Sequence, residues 1–228
     1  MSYVYLSGNV RDKLAAAKAN NEDGRYNANI KALEEVVPTE IPAHLIGFNI
    51  GSSWCPKSLY EEYLKDRTGV EGKFTYSGGT WLLDITKGKY SEKNSSFGVK
   101  SYKYDGVGKS GSDLVLAAMT YKPVVVGKTE EDEYGKEHFI KDKDATLECA
   151  RRVDEIRQDF KDWAHEKMQT DQELAQKITI LYNDKFNSYI PLKITDAFAP
   201  TRLDGMTETL DGKTTFELRP HQARAVVK

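Results

Sequence analysis

Cysteine is scarce. Cys55 and Cys149 are the only two among 228 residues, far apart and without CxxC spacing. That argues against a disulfide-stapled secreted fold and points to reduced thiols in a cytoplasmic protein. Long apolar runs are missing as well. No stretch approaches the roughly 18 apolar residues of a membrane span, and the first residues lack a signal peptide's apolar core. No membrane partner is therefore expected. Nor is there an excess of charge: the formal net charge of -2 and the pI near 6.1 leave no bulk basic signature. Contact with nucleic acid must then come from a local patch. His44, His138, His165 and His221 are too scattered to share metal-ligand spacing.

What remains, 39% hydrophobic and 30% charged residues, fits an α+β fold with a modest core and long solvated faces. Residues 1–40 read as an N-terminal helical hairpin. After an apolar stretch at Tyr3–Leu6, Ser7 or Asn9 caps a helix with Val10, Leu14 and Ala17 on one face. A second helix spans Asn27–Val36.

A central α+β domain follows over 41–190. Its expected parts begin with a strand at His44–Gly51 and a serine-capped helix at Lys57–Arg67. A small antiparallel sheet covers about residues 71–104. It opens with a hairpin around Gly78-Gly79, continues through a polar loop at Thr86–Ser96, and ends with a third strand at Phe97–Tyr104. A short helix at Ser112–Tyr121, capped by Ser110 or Ser112, a buried strand at Val124–Val126 and another strand near 139 come next. Two long helices fill the C-terminal half. In Asp144–Lys167, the residues Leu147, Ala150, Val153, Ile156, Phe160 and Trp163 recur at three and four. Thr170-Asp171 caps the second. Residues 191–228 form a loop-rich tail with a last strand at Thr215–Leu218.

No complete catalytic site assembles. Gly106-Val107-Gly108-Lys109-Ser110 invites a phosphate-loop reading, but Lys103 stands where that motif needs its first glycine. A loop capping a helix is the simpler account. The acidic run Asp132-Glu133-Tyr134-Gly135 has no upstream phosphate loop to serve. There is no Gly-x-Ser-x-Gly elbow, no tetrapeptide of the kind that holds a target amine for methylation, and no helper beside either cysteine. The chain alone is not expected to be an enzyme or to carry a cofactor.

The best interaction candidate is Lys87–Tyr104. Lys87, Lys89, Lys93, Lys100 and Lys103 are opposed only by Glu92, with Tyr90, Phe97, Tyr102 and Tyr104 interleaved. Lysines neutralise phosphates and aromatics stack on bases. The same pattern also describes an exposed β face whose lysines guard a sheet edge while the aromatics enter the core. Trp54 and Trp81, beside glycines, read as core anchors.

Four stretches in order carry a family likeness: Tyr5–Leu14, Ile50–Pro56, Tyr182–Asn187 and Leu218–Gln222. Together they resemble the large adenine-specific DNA methylase–helicase proteins of phages and conjugative elements, some linked to protection from restriction. The resemblance implies a module lying between a methyltransferase region and a Swi/Snf-like superfamily-two helicase. ATP and S-adenosylmethionine are implied for the parent, with those flanking domains and DNA as partners. Gln222, with Arg219 and His221 nearby, matches the segment in which a helicase glutamine contacts the ATP adenine. The amide suits an adenine edge, since it both donates and accepts. Pro220 opens a helix that Lys228 leaves unfinished, so a helicase domain is expected to follow. The functional expectation is a non-catalytic DNA-engaging or coupling module. The alternative is a structural spacer or protein-interaction domain with no nucleic-acid affinity.

Overall fold

The computed structural model describes residues 5–192, 217–219 and 222. Half of the expected Tyr3–Leu6 stretch and half of the strand at Thr215–Leu218 lie outside the described residues; Tyr5 and Leu6 lie in a turn, and Glu217 and Leu218 belong to no strand. In chain order come β1 (Gly8–Asn9), α1 (Val10–Ala19), α2 (Asn27–Val36), a 3-10 turn at Ala43–Leu45 and α3 (Lys57–Thr68). Next are β2 (Glu71–Ser77), β3 (Thr80–Lys87), α4 (Glu92–Phe97), β4 (Val99–Lys100), β5 (Gly108–Lys109) and α5 (Gly111–Thr120). The series ends with β6 (Gly127–Glu131), β7 (Glu137–Lys141), α6 (Lys143–Thr170), α7 (Gln172–Phe186) and β8 (Tyr189–Ile190).

The class is α+β, with every described strand paired antiparallel in twos: β1 with β8, β2 with β3, β4 with β5, and β6 with β7. The hairpin at 71–87 forms as its turn chemistry requires. Gly78 and Gly79 both take positive φ, 56° and 77°, the geometry a tight two-residue turn demands. The third strand does not extend it. The loop expected at Thr86–Ser96 contains α4, because Ser91 accepts the Asn94 N–H and caps a helix there. Only Val99–Lys100 remain extended, against β5.

Four further expectations change. His44–Gly51 forms the 3-10 turn and irregular chain, with Asn49 and Ser52 closing a turn. Val126 is buried but joins no ladder: its N–H donates to Thr146 Oγ1 and its carbonyl accepts from the Asp142 N–H. Helix α3 starts after Pro56 with no side-chain cap, and Ser52 Oγ bonds back to the Asn49 carbonyl. On α6, the buried face carries Ala145, Cys149, Val153, Ile156, Phe160, Trp163, Ala164 and Met168. Leu147, 72% exposed, and Ala150 face outward. Leu147 lies six residues before Val153, which turns it well away from the inward stripe.

The chain divides into two compact units, Glu40–Asn183 and Met1–Thr39 with Asp184–Lys228. In the second, Val10, Ala17 and Leu33 form a small core, and Asn9 caps α1 by accepting the Asp12 N–H. Arg11 donates to the Asn187 and Pro38 carbonyls at 3.1 and 2.9 Å. In the larger unit, Tyr60, Tyr63, Phe74, Trp81, Phe160 and Trp163 pack mostly edge to face at ring separations of 5.1–6.4 Å. Such pairs add about 0.5–1.5 kcal/mol each beyond the apolar area they bury. Both cysteines are free and buried. No helix among the described residues is long and apolar enough to cross a membrane.

Candidate nucleic-acid interface

The lysine-rich segment gains its shape from a buried polar residue. Asn94, 1% exposed, accepts the Ser112 N–H at 2.8 Å and donates to the Lys89 carbonyl at 2.7 Å. One side chain thereby ties α4 to the turn before it and to the start of α5. Ser91 Oγ adds a bond to the Thr68 carbonyl at the end of α3. With the inner side of the segment so occupied, Lys89, Tyr90 and Lys93 project outward. Tyr90 is 88% exposed. The Lys93 ammonium donates to the Asp66 carbonyl. Lys87 ends β3 opposite Glu71, whose carboxyl is held below its usual range first by its bond to Lys65 and further by Lys87.

Lys100 and Lys103 belong to a second group. Val99 points inward, so alternation along β4 turns Lys100 outward. Ser101 Oγ donates to Asp142 at 2.5 Å and accepts the N–H groups of Lys103 and Tyr104. That pins the turn and leaves Tyr102 wholly in solvent, at 103% exposure. Lys103 stands 5.1 Å from the Tyr104 ring, and its pKa is raised by hydrogen bonding to Tyr104, with Asp142 and Asp144 adding to the shift. The carboxyl of Asp142 is pulled down by its bond from Ser101 and by the helix N–H groups of Ala145 and Asp144. The five lysines therefore form two groups, Lys87 and Lys89 before α4 with Lys93 in its first turn, near the end of α3, and Lys100 and Lys103 after it, near the start of α6.

A cleft runs beside the second group. Lys100, Tyr102, Ser95 and Ser96 line it from one side, and Asp144, Glu148 and Arg152 of α6 from the other. Arg152 is absent from the sequence-based set because about fifty residues separate it from Lys100; no local spacing signals the meeting. The neighbouring Gly106–Ser110 loop supplies β5 and the α5 cap. Ser110 and Asp113 form a reciprocal capping box, which commits that hydroxyl to the helix.

At the other candidate, the Gln222 N–H donates to the Arg219 carbonyl at 2.8 Å, and Gln222 Oε1 accepts the Arg219 N–H at 3.0 Å. The amide oxygen is thus engaged locally. His221 lies outside the described residues. Among the described residues no group of three His, Cys, Asp or Glu is placed to hold a metal ion.

The stretches that carry the family likeness also have structural work. Gly51, at φ 85°, brings its backbone so close to Met119 that a Cβ would lie 2.4 Å from the Met119 carbonyl oxygen. Its own carbonyl accepts from Trp81 Nε1 at 2.7 Å. Asn183 and Asn187 bond the backbone of Ile41 and Thr39.

No curated protein and no solved structure matches this sequence. One family model does, described as Domain of unknown function (DUF8437), over residues 49–188, which is 140 of the 228 residues. This chain belongs to that family, DUF8437.

Proposed function

We propose that this chain is a non-catalytic, cytoplasmic module that engages DNA and couples the methylase and helicase parts of a mobile-element or phage protein concerned with DNA modification and antirestriction. In that parent, ATP and S-adenosylmethionine serve the flanking domains, and Gln222 with Arg219 and His221 borders the nucleotide. One observation carries the DNA-binding part. Tyr90 and Tyr102 stand in solvent among the lysines, whereas a guarded sheet edge would turn its aromatics inward. Exposed rings beside flexible cations are the equipment of a surface that tracks a phosphate backbone and stacks on bases.

Anisotropy titrations with duplex and single-stranded DNA test the reading. Binding at low salt that is lost when Lys87, Lys89, Lys93, Lys100 and Lys103 become glutamates supports it. No binding at low salt, or affinity indifferent to those charges, sinks it.

A protein-interaction role is favoured by a separate feature, the β6–β7 hairpin. Each of its residues from Lys128 to Lys141 is exposed, with Phe139 at 57% and Tyr134 at 93%. An isolated two-stranded ribbon is marginal in water, so this arm suits a protein surface that covers one of its faces. Deleting the tip at 132–136 would abolish co-purification with a flanking domain on this reading and leave DNA affinity intact.

A further inference from the structure

Arg152 reaches the basic segment from α6, across a cleft of about 680 Å³ whose opposite wall carries Lys100 and Tyr102. Its guanidinium lies 6.0 Å from the Phe97 ring centre and meets Glu155 only at 3.5 Å. Its Nε is buried without a hydrogen-bond partner. Two carboxylates share the cleft, Asp144 and Glu148. Glu148 accepts two hydrogen bonds from Arg151, with Arg152 a weaker electrostatic neighbour, and Asp144 adds to the negative field at Lys103. Lys100 and Arg152 are the cations that line this opening. The volume falls within the range usual for small-ligand clefts.

We infer that this cleft seats one unstacked nucleotide of a single DNA strand, with Lys100 and Arg152 holding the phosphate from opposite walls and Tyr102 stacking on the base. The inference rests on the DNA-binding reading above and narrows it to single strands. A duplex keeps its bases stacked on one another and offers Tyr102 no ring face. A single strand presents every base, and an aromatic side chain takes any of them because all have a π face.

The test uses the full chain with labelled oligothymidylate and with a duplex of equal length, both by anisotropy at low salt. Tyr102→Ala and Arg152→Gln should each weaken single-strand binding roughly tenfold and leave duplex binding unchanged. Lys87→Gln combined with Lys89→Gln should weaken both DNAs alike. Tyr102 is wholly exposed, so its truncation does not disturb the fold. If the Tyr102 and Arg152 variants bind single strands like the unaltered chain while the lysine pair still weakens both DNAs, the cleft is not the seat and the broader reading survives. Equal losses on both DNAs from Tyr102→Ala also overturn the cleft, since stacking would not be involved. Failure of the unaltered chain to bind either DNA overturns both.

Discussion

The side-chain amide of Asn183 clasps the backbone of Ile41, accepting its N–H and donating to its carbonyl, each at 2.9 Å. Asn183 is completely buried near the end of α7, and it also donates to the Thr179 carbonyl. Two residues 142 positions apart are thereby fixed without a strand or a disulfide. Asn183→Ala leaves both Ile41 groups without these partners and should lower stability by about 2–4 kcal/mol. Urea denaturation followed by tryptophan fluorescence measures it. A loss under about 0.5 kcal/mol would mean that water replaces the amide without penalty.

Gly51 and Trp81 form a second long-range joint, in which sterics and hydrogen bonding act together. Gly51→Ala meets both a left-handed φ and the Met119 carbonyl, so it should cost more than about 2 kcal/mol. Trp81→Phe keeps a ring in the core but removes the donor to Gly51, for a loss of about 1–3 kcal/mol. Thermal unfolding of the two variants should rank Gly51→Ala as the less stable. The reverse order would show that the backbone at Gly51 can move away from Met119.

Burial pushes the Cys55 thiol from 9.0 up to about 12, only partly offset by its hydrogen bond with Tyr60. Burial likewise raises the Tyr60 hydroxyl, and the neighbouring Cys55 raises it further. Because the folded pKa exceeds the unfolded one, the unfolded chain releases its proton first as pH rises. The contribution to stability is therefore complete below about pH 9 and declines toward pH 12, by up to about 1.4 kcal/mol per pH unit for the thiol. Urea midpoints measured between pH 8 and pH 11 should fall, and Cys55→Ala should flatten that fall. The folded thiol should also react with alkylating reagents far more slowly than an exposed one at pH 8. Rapid labelling of Cys55 under native conditions would contradict its burial.

Each lysine that contacts a phosphate adds close to one unit to the salt dependence of binding. Replacing Lys87 and Lys89 by glutamine should therefore reduce the slope of log K against log salt by about two. Replacing Lys93, whose ammonium is already bound to the Asp66 carbonyl, should change the slope less. Titrations across a range of salt concentrations distinguish these outcomes. Equal effects at all three positions would mean that Lys93 leaves Asp66 when DNA arrives.

Local chemistry was enough to locate many of the elements. Asn27–Val36 is helical over the expected span, the Gly78-Gly79 turn closes the expected hairpin, and Asn9, Ser110 and Asp171 cap their helices. These features depend on contacts a few residues apart. The basic, aromatic segment was visible too, since its composition lies in one contiguous stretch. Its division into two groups was not, because α4 arises from Ser91 and Asn94, and Asn94 is held by Lys89 and Ser112.

Tertiary packing decided the rest. The inward stripe of α6 includes Cys149 and omits Leu147, a choice made by which face the aromatic core needs, since both residues fit some helical period. Val124–Val126 has strand-forming residues, but Val126 donates its N–H to Thr146 of α6 and its carbonyl accepts from Asp142, the residue that caps that helix. The cleft and its Arg152 exist only because α6 packs beside β4. Propensity, capping and turn chemistry operate within about one helical turn. Which distant residues meet is set by the need of buried apolar faces and buried backbone polar groups for partners.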